Sequence, residues 1–193
     1  MPPNAIAGFD IGLVLFGFNA GSTTSQTAVT DKCGRLRWRV LGSYSWPIAI
    51  SFDDDLLVRD QMSSGTTYTT AIRRFSRDGA LVAGPTAVAP FGGAVVGADD
   101  TIYPFRIAPT GGDIEVVALG RNLDTLWSLP LGQLGGIAAG VMNQEGTLFL
   151  VSGVGGGEHR LIAVETTSPG PAPVSWSRLP GRDSMASGWL KAE

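Results

Sequence analysis

A chain of 193 residues with 27 glycines, 12 prolines, 44% hydrophobic residues and a net charge of −3 carries apolar surface enough to order itself, which excludes wholesale disorder. The acidic balance, with pI ≈ 5.1, excludes a dedicated nucleic-acid binder, and no uninterrupted run of about 18 apolar residues supplies a membrane-spanning helix. Cys33 and His159 are the only residues of their kinds, so an intrachain disulfide and a Cys-rich zinc site are excluded as well.

Residues 5–18, AIAGFDIGLVLFGF, form a small and aliphatic run, a turn with Gly and Asp, and a β-prone run, which predicts two strands. No Lys or Arg precedes Lys32, so the chain as written lacks the basic start of a secretory signal and reads as cytoplasmic; as a piece of a longer chain it is expected in the periplasm or outside the cell. In VTDKCGRLRWRV (29–40), Arg35, Arg37 and Arg39 alternate with Leu36, Trp38 and Val40, the period of a strand with one apolar face. The first shape returns in PIAISFDDDLLVRD (47–60), and the second in RRFSRDGALVAGP (73–85), with Ala83 where the Trp stood. GGAVVGADDTIYPF (92–105) and ALGRNLDTLWSLP (118–130) repeat the pair, the latter ending in Trp127. GIAAGVMNQEGTLFLVSG (136–153) and AVETTSPGPAPVSWSRLP (163–180), with Trp176, repeat it again, and SMASGWLKAE (184–193) reads as a fifth opening.

The steps Trp38 to Ala83 to Trp127 to Trp176 are 45, 44 and 49 residues. Asp78-Gly79 and Glu145-Gly146 mark tight turns, and no segment has a helical period. Four short strands in about 45 residues is the pattern of a β-propeller blade. The predicted fold is therefore all-β. It is one propeller domain or fragment of about four four-stranded antiparallel blades, with repeats at 5–46, 47–91, 92–135 and 136–183, and the first strand of a fifth at 184–193. One such blade cannot bury both faces and must pack between neighbours. Trp38, Trp127 and Trp176 are the expected blade-docking residues, each able to bury roughly 150–250 Å². Small residues such as Ala5, Ala7, Ala49, Ala94, Ala138 and Ala139 suit the crowded first strand of each unit, and Ala83 predicts that the second unit either lacks the Trp wedge or fills its position from elsewhere.

Ala28-Val29 followed by Asp31-Lys32-Cys33-Gly34-Arg35-Leu36-Arg37-Trp38 resembles the repeat motif of pyrroloquinoline-quinone-type (PQQ-like) propellers: an aliphatic strand, Asp, two residues, Gly, three residues, Trp. The copy ending in Trp127 has Asn122 and Asp124 but no Gly in its turn. The copy ending in Trp176 carries an insertion, Pro169-Gly170-Pro171, and the copy at 73–85 keeps Asp78-Gly79. The resemblance extends over 5–184 and implies six to eight blades in a whole ring, so four and a fragment imply a small ring, an open arc, or a ring completed by a second chain. Enzymes of that family imply a calcium-binding Glu/Asn set, a catalytic Asp and an adjacent cysteine pair, which one cysteine does not supply, and no residue here carries over as a cofactor ligand.

Asp53-Asp54-Asp55 has the oxygens a hard cation wants, but successive residues of an extended chain face opposite ways, and a hairpin turn aligned with Asp99-Asp100 and Gln144-Glu145 is expected. Gly153-Val154-Gly155-Gly156-Gly157 lacks the Lys and Ser/Thr of a phosphate loop and reads as a hairpin connection. His159 has no nucleophile partner, since Ser152 sits in no nucleophile elbow, and it reads as a solvated loop residue. Lys32 with Arg35, Arg37 and Arg39, and the cluster Arg73, Arg74 and Arg77, read as solvated outer faces rather than polyanion sites. Cys33 reads as an incidental turn residue, and Tyr44, Trp46, Tyr68 and Trp189 as packing residues in or near loops and strand ends.

No catalytic, cofactor or metal residue is assigned from the sequence. The expected function is non-enzymatic: a binding or scaffold module whose loops hold a protein or ligand on a rigid platform, with self-association through open blade edges. The alternatives are a fragment of a propeller oxidoreductase or hydrolase whose active site lies outside this chain, and a carbohydrate-binding propeller.

Overall fold

A computed structural model describes residues 4–8, 12–18, 24–31, 33–51, 53–64, 67–88, 90–108, 113–134, 137–155 and 158–172. They are strands and turns, with no helix long and apolar enough to cross a membrane among them. The strands are β1 (Asn4–Gly8), β2 (Gly12–Phe18), β3 (Thr24–Thr30), β4 (Leu36–Ile50), β5 (Leu56–Ser64), β6 (Thr67–Phe75) and β7 (Leu81–Thr86). They continue as β8 (Pro90–Val96), β9 (Ile102–Ile107), β10 (Asp113–Leu119), β11 (Thr125–Gln133), β12 (Ile137–Met142), β13 (Thr147–Gly155) and β14 (Glu158–Glu165).

Every strand pairs antiparallel with its sequence neighbour inside a sheet, and the sheets are β1 to β7, β8 to β11, and β12 to β14. The seven-stranded sheet is two meanders sharing one strand. Residues 36–43 of β4 pair with β3, and residues 46–50, with Ser43, pair with β5 across a register shift between Ser43 and Trp46. The expected repeat boundary at 46/47 thus falls inside a continuous 15-residue strand. We call β1 to β3 with the first half of β4 the first sheet, the second half of β4 with β5 to β7 the second, β8 to β11 the third, and β12 to β14 the fourth. The fourth strand expected for the last sheet, with Trp176, lies outside the described residues.

The sheets pack face to face in sequence order. Val29 and Val40 of the first sheet meet Ile50, Leu56, Val58 and Phe75 of the second. Ile48, Leu57 and Ile72 of the second meet Ala94, Val96, Ile102, Val117 and Leu119 of the third. Val95, Tyr103, Phe105, Ile114 and Val116 of the third meet Met142, Leu148, Leu150 and Val164 of the fourth. Strand alternation explains the division: in β8 and β10, Val96 and Val117 point one way, Val95 and Val116 the other. A sheet covered on both sides buries both of its faces, which is why IYPF and VVAL read as apolar runs rather than as alternating strands, while the buried Glu115 beside them is paired with Arg106. β8 lies beside both β4 and β12, so the first strands of successive sheets are neighbours, and Ala49 and Ala94 are buried there.

Candidate functional site

Six hairpins among the described residues share one five-residue turn, at 31–35, 51–55, 76–80, 97–101, 120–124 and 143–147. In each, the first residue's N–H donates to the carbonyl of the fifth, and the fourth residue's N–H donates to the carbonyl of the first, with N···O distances of 2.8–3.2 Å. The fourth residue is left-handed throughout: Gly34, Asp54, Gly79, Asp100, Leu123 and Gly146. This is the three-residue hairpin loop in which a type I turn ends in a bulge. The first side chain often caps it. Asp31 Oδ1 accepts from the N–H groups of Cys33 and Arg35, Asn143 Oδ1 from those of Glu145 and Thr147, Ser51 Oγ from Asp55 and Ser76 Oγ from Ala80. A meander turns at the same end after its first and third strands, so these hairpins collect at one end of the stack.

Beneath that end lies Arg74 of β6, 0% exposed. Its Nε donates to Asp55 Oδ2 at 2.7 Å, and a terminal nitrogen stands 2.7 Å from Asp100 Oδ2 and 3.0 Å from Ser51 Oγ. Its other terminal nitrogen donates to the Arg121 carbonyl at 3.0 Å. Asp53 Oδ2 is 3.9 Å away and pairs with the Arg121 guanidinium. Burial pulls the Arg74 guanidinium down, but hydrogen bonds and Coulomb attraction from Asp55 and Asp100 outweigh it and hold the group above its ordinary value. The sequence reading placed Arg73, Arg74 and Arg77 together on a solvated face. Arg74 is instead a clamp joining the second sheet (Ser51, Asp55) to the third (Asp100, Arg121). A planar fork with several donors is the group suited to that span.

The seams carry the aromatic residues. Trp38 packs on the first seam, its indole N–H donating to the Arg77 carbonyl at 2.8 Å and its ring centroid 6.0 Å from Phe75. Trp127 packs on the third seam, 5.9 Å from Tyr103. Both are half-buried, so each contributes less than a fully enclosed indole. At the second seam Ala83 stands in the Trp position and Leu123, 1% exposed, fills the space from the facing turn. A Leu with positive φ is uncommon, and its burial in the seam compensates for the backbone cost.

The Pro169-Gly170-Pro171 insertion departs from the other hairpins. It carries the chain from β14 back to the edge of β8: Pro171 bridges Gly97, the Ala98 N–H donates to the Gly170 carbonyl at 2.8 Å, and the Ala172 N–H to that of Val96 at 2.9 Å. Ser168 is buried between the turns of the third and fourth sheets, where a Cβ at Gly97 would lie 2.3 Å from its Oγ and one at Gly146 1.8 Å from its carbonyl oxygen.

Of the other singled-out residues, Asp53, Asp54 and Asp55 form a turn as expected, but Asp53 and Asp55 face cations. Arg35, Arg37 and Arg39 are exposed, as is Cys33. His159 is exposed but belongs to β14 rather than to a loop, and Tyr44, Trp46 and Tyr68 belong to β4 and β6. Trp189 lies outside the described residues. No group of three or more His, Cys, Asp or Glu among the described residues is placed to hold a metal ion. The turn end therefore offers a rigid rim of mixed charge: Arg35, Asp53, Arg77, Asp78, Asp99, Arg121 and Glu145 are exposed there. No protein-family model matches this chain, and no curated protein matches it.

Proposed function

We propose that the stacked sheets are blades of a PQQ-like repeat propeller, and that the chain is a non-enzymatic binding or scaffold module that engages a protein partner at its turn end. The observation that carries this reading is the set of six turns of one geometry at one end of the stack. Their backbones are fixed by the same bonds, while their exposed side chains differ from turn to turn. A frame of that kind holds a varied polar surface without paying to order it on binding. The sequence-order stacking, the adjacency of β4, β8 and β12, and the Asp31 to Trp38 motif support the propeller arrangement. Trp38, Trp127 and Trp176 then serve as blade-docking residues.

The test compares two sets of surface variants of the full chain as bait in source-cell extract. Loss of one reproducible partner with Arg77→Glu and Asp78→Lys, and its retention with Glu158→Lys and His159→Glu at the opposite end, is the expected result. Equal loss in both sets, or a rise in melting temperature with calcium plus pyrroloquinoline quinone, would overturn it in favour of a different surface or a cofactor enzyme.

A further inference from the structure

We propose that the outer strands of the first three sheets form a border that adsorbs to an anionic phospholipid membrane surface. The proposal goes beyond the turn-end reading and stands without it.

One repeated feature builds the border. Each outer strand, β4, β7 and β11, carries a bulge just past its turn, at the same place in all three. Val29 and Thr30 pair with Trp38 and Leu36, Arg74 and Phe75 with Ala83 and Leu81, and Ala118 and Leu119 with Trp127 and Thr125. The extra residues are Arg37, Val82 and Leu126. Leu36 is 59%, Leu81 51% and Leu126 54% exposed, and Arg37 and Val82 are exposed beside them. Leu41 and Leu129, further along β4 and β11, are exposed as well. A single exposed leucine is ordinary, whereas an exposed bulge that carries aliphatic side chains in three consecutive sheets is a surface. The three hairpins also touch. The Trp38 indole N–H on β4 donates to the Arg77 carbonyl in the next outer hairpin, and Thr86 Oγ1 on β7 donates to the Leu123 carbonyl in the third, at 3.1 Å.

Two observations choose a lipid surface. The first is charge. The chain has 17 Asp and Glu residues against 14 Lys and Arg, yet β4, β7 and β11 contain no Asp or Glu, and β4 projects Arg37 and Arg39, both exposed. The nearest carboxylates, Asp31, Asp78 and Asp124, belong to the turns, where Asp31 accepts from the backbone N–H groups of Cys33 and Arg35. Aliphatic side chains with arginines and no carboxylate among them complement acyl chains lying beneath anionic headgroups. The second is the form of the edge. A bulge breaks the ladder that a further strand would extend, and Pro85 and Pro130 contribute no N–H, so the outer edges of β7 and β11 are blunted against an added peptide strand. A fluid apolar layer takes in single projecting side chains without a matching ladder.

Sedimentation of the full chain with vesicles tests this. The expected result is binding to vesicles of phosphatidylglycerol and phosphatidylcholine in equal parts, at least about tenfold weaker on phosphatidylcholine alone and in high salt. Leu36→Ser with Leu81→Ser and Leu126→Ser weakens binding to the mixed vesicles by a similar factor, and so does Arg37→Glu with Arg39→Glu. Ile107→Ser, at an exposed apolar residue of β9, leaves it unchanged. A chain that does not bind the mixed vesicles overturns the proposal. So does equal binding to neutral vesicles, or a loss with Ile107→Ser as large as with the leucine set. Circular dichroism shows whether the leucine variant folds, and if it does not, the exposed arginine pair decides. Absence of vesicle binding, with loss of a protein from source-cell extract in the leucine variant, would assign the border to a protein interface and overturn the proposal too.

Discussion

The indole of Trp38 lies on Gly79 across the first seam, so close that a Cβ built at Gly79 would stand 2.6 Å from Trp38 Cγ. The second seam inverts the arrangement. Ala83 takes the strand position of Trp38, and Leu123 takes the turn position of Gly79, in a turn with the same two backbone bonds. A large residue on the strand is matched by a small one on the turn, and a small one on the strand by a large one on the turn. Each seam is thus filled once, from whichever side supplies the volume.

That complementarity is measurable as a coupling. Gly79→Ala carries a backbone cost of about 1–2 kcal/mol from its positive φ whatever surrounds it. With Trp38 present, overpacking adds roughly 1–3 kcal/mol. Urea unfolding of Gly79→Ala, Trp38→Ala and the double variant is expected to show the second cost vanish with the indole. Additive losses would mean that the two residues are not in contact.

At the second seam, Leu123→Ala is expected to cost about 2–4 kcal/mol, because it empties a closed apolar site. Ala83→Trp alone overpacks the same site. Combining Ala83→Trp with Leu123→Gly copies the first seam, and thermal unfolding should show it more stable than either single variant. A double variant weaker than both would refute the exchange.

Arg74→Ala leaves the Asp55 and Asp100 carboxylates without the buried cation between them, an expected loss of about 3–5 kcal/mol in chemical denaturation. Arg74→Lys should recover less than half of it, since a point charge cannot reach Asp55, Asp100, Ser51 and the Arg121 carbonyl together. Equal stability of Lys and Arg would show that the fork geometry does not matter.

Burial pushes the Tyr103 phenol above its ordinary value of 10.0, and the negative charge of Asp99 adds to the shift. The folded chain then holds that proton more tightly than the unfolded chain does. The stability this provides is complete below about pH 10 and is lost as pH rises through the folded value. Melting temperatures measured across that range should fall more steeply for the wild type than for Tyr103→Phe. Parallel curves would contradict the enclosed phenol.

Much of the fold is legible in local sequence because local chemistry decides it. The alternation in RLRWRV places Trp38 and Val40 on the seam, and Asp78-Gly79 and Glu145-Gly146 put a glycine at the left-handed position of their turns. Arg74 was misread because its neighbour Arg73 suggests a charged surface, and its carboxylates come from turns 19 and 26 residues away. One signal was available: Arg74 shares the strand face of Ile72, a seam residue. Leu123 was likewise visible as an apolar residue between Asn122 and Asp124 in a turn, but its pairing with Ala83 depends on two sheets meeting. The path of residues 166–172 along β8 follows from the proline insertion only once the position of β8 is known.

The claim on which the rest depends is that each sheet packs only on its sequence neighbours. A nuclear Overhauser spectrum of the methyl- and indole-labelled chain measures it most directly. The account predicts cross-peaks from the Trp38 indole N–H to the 76–80 turn, from Leu123 methyls to Ile72, and from Leu150 methyls to the Phe105 ring. Absence of these, or cross-peaks joining Val29 of the first sheet to Val116 of the third, would contradict it.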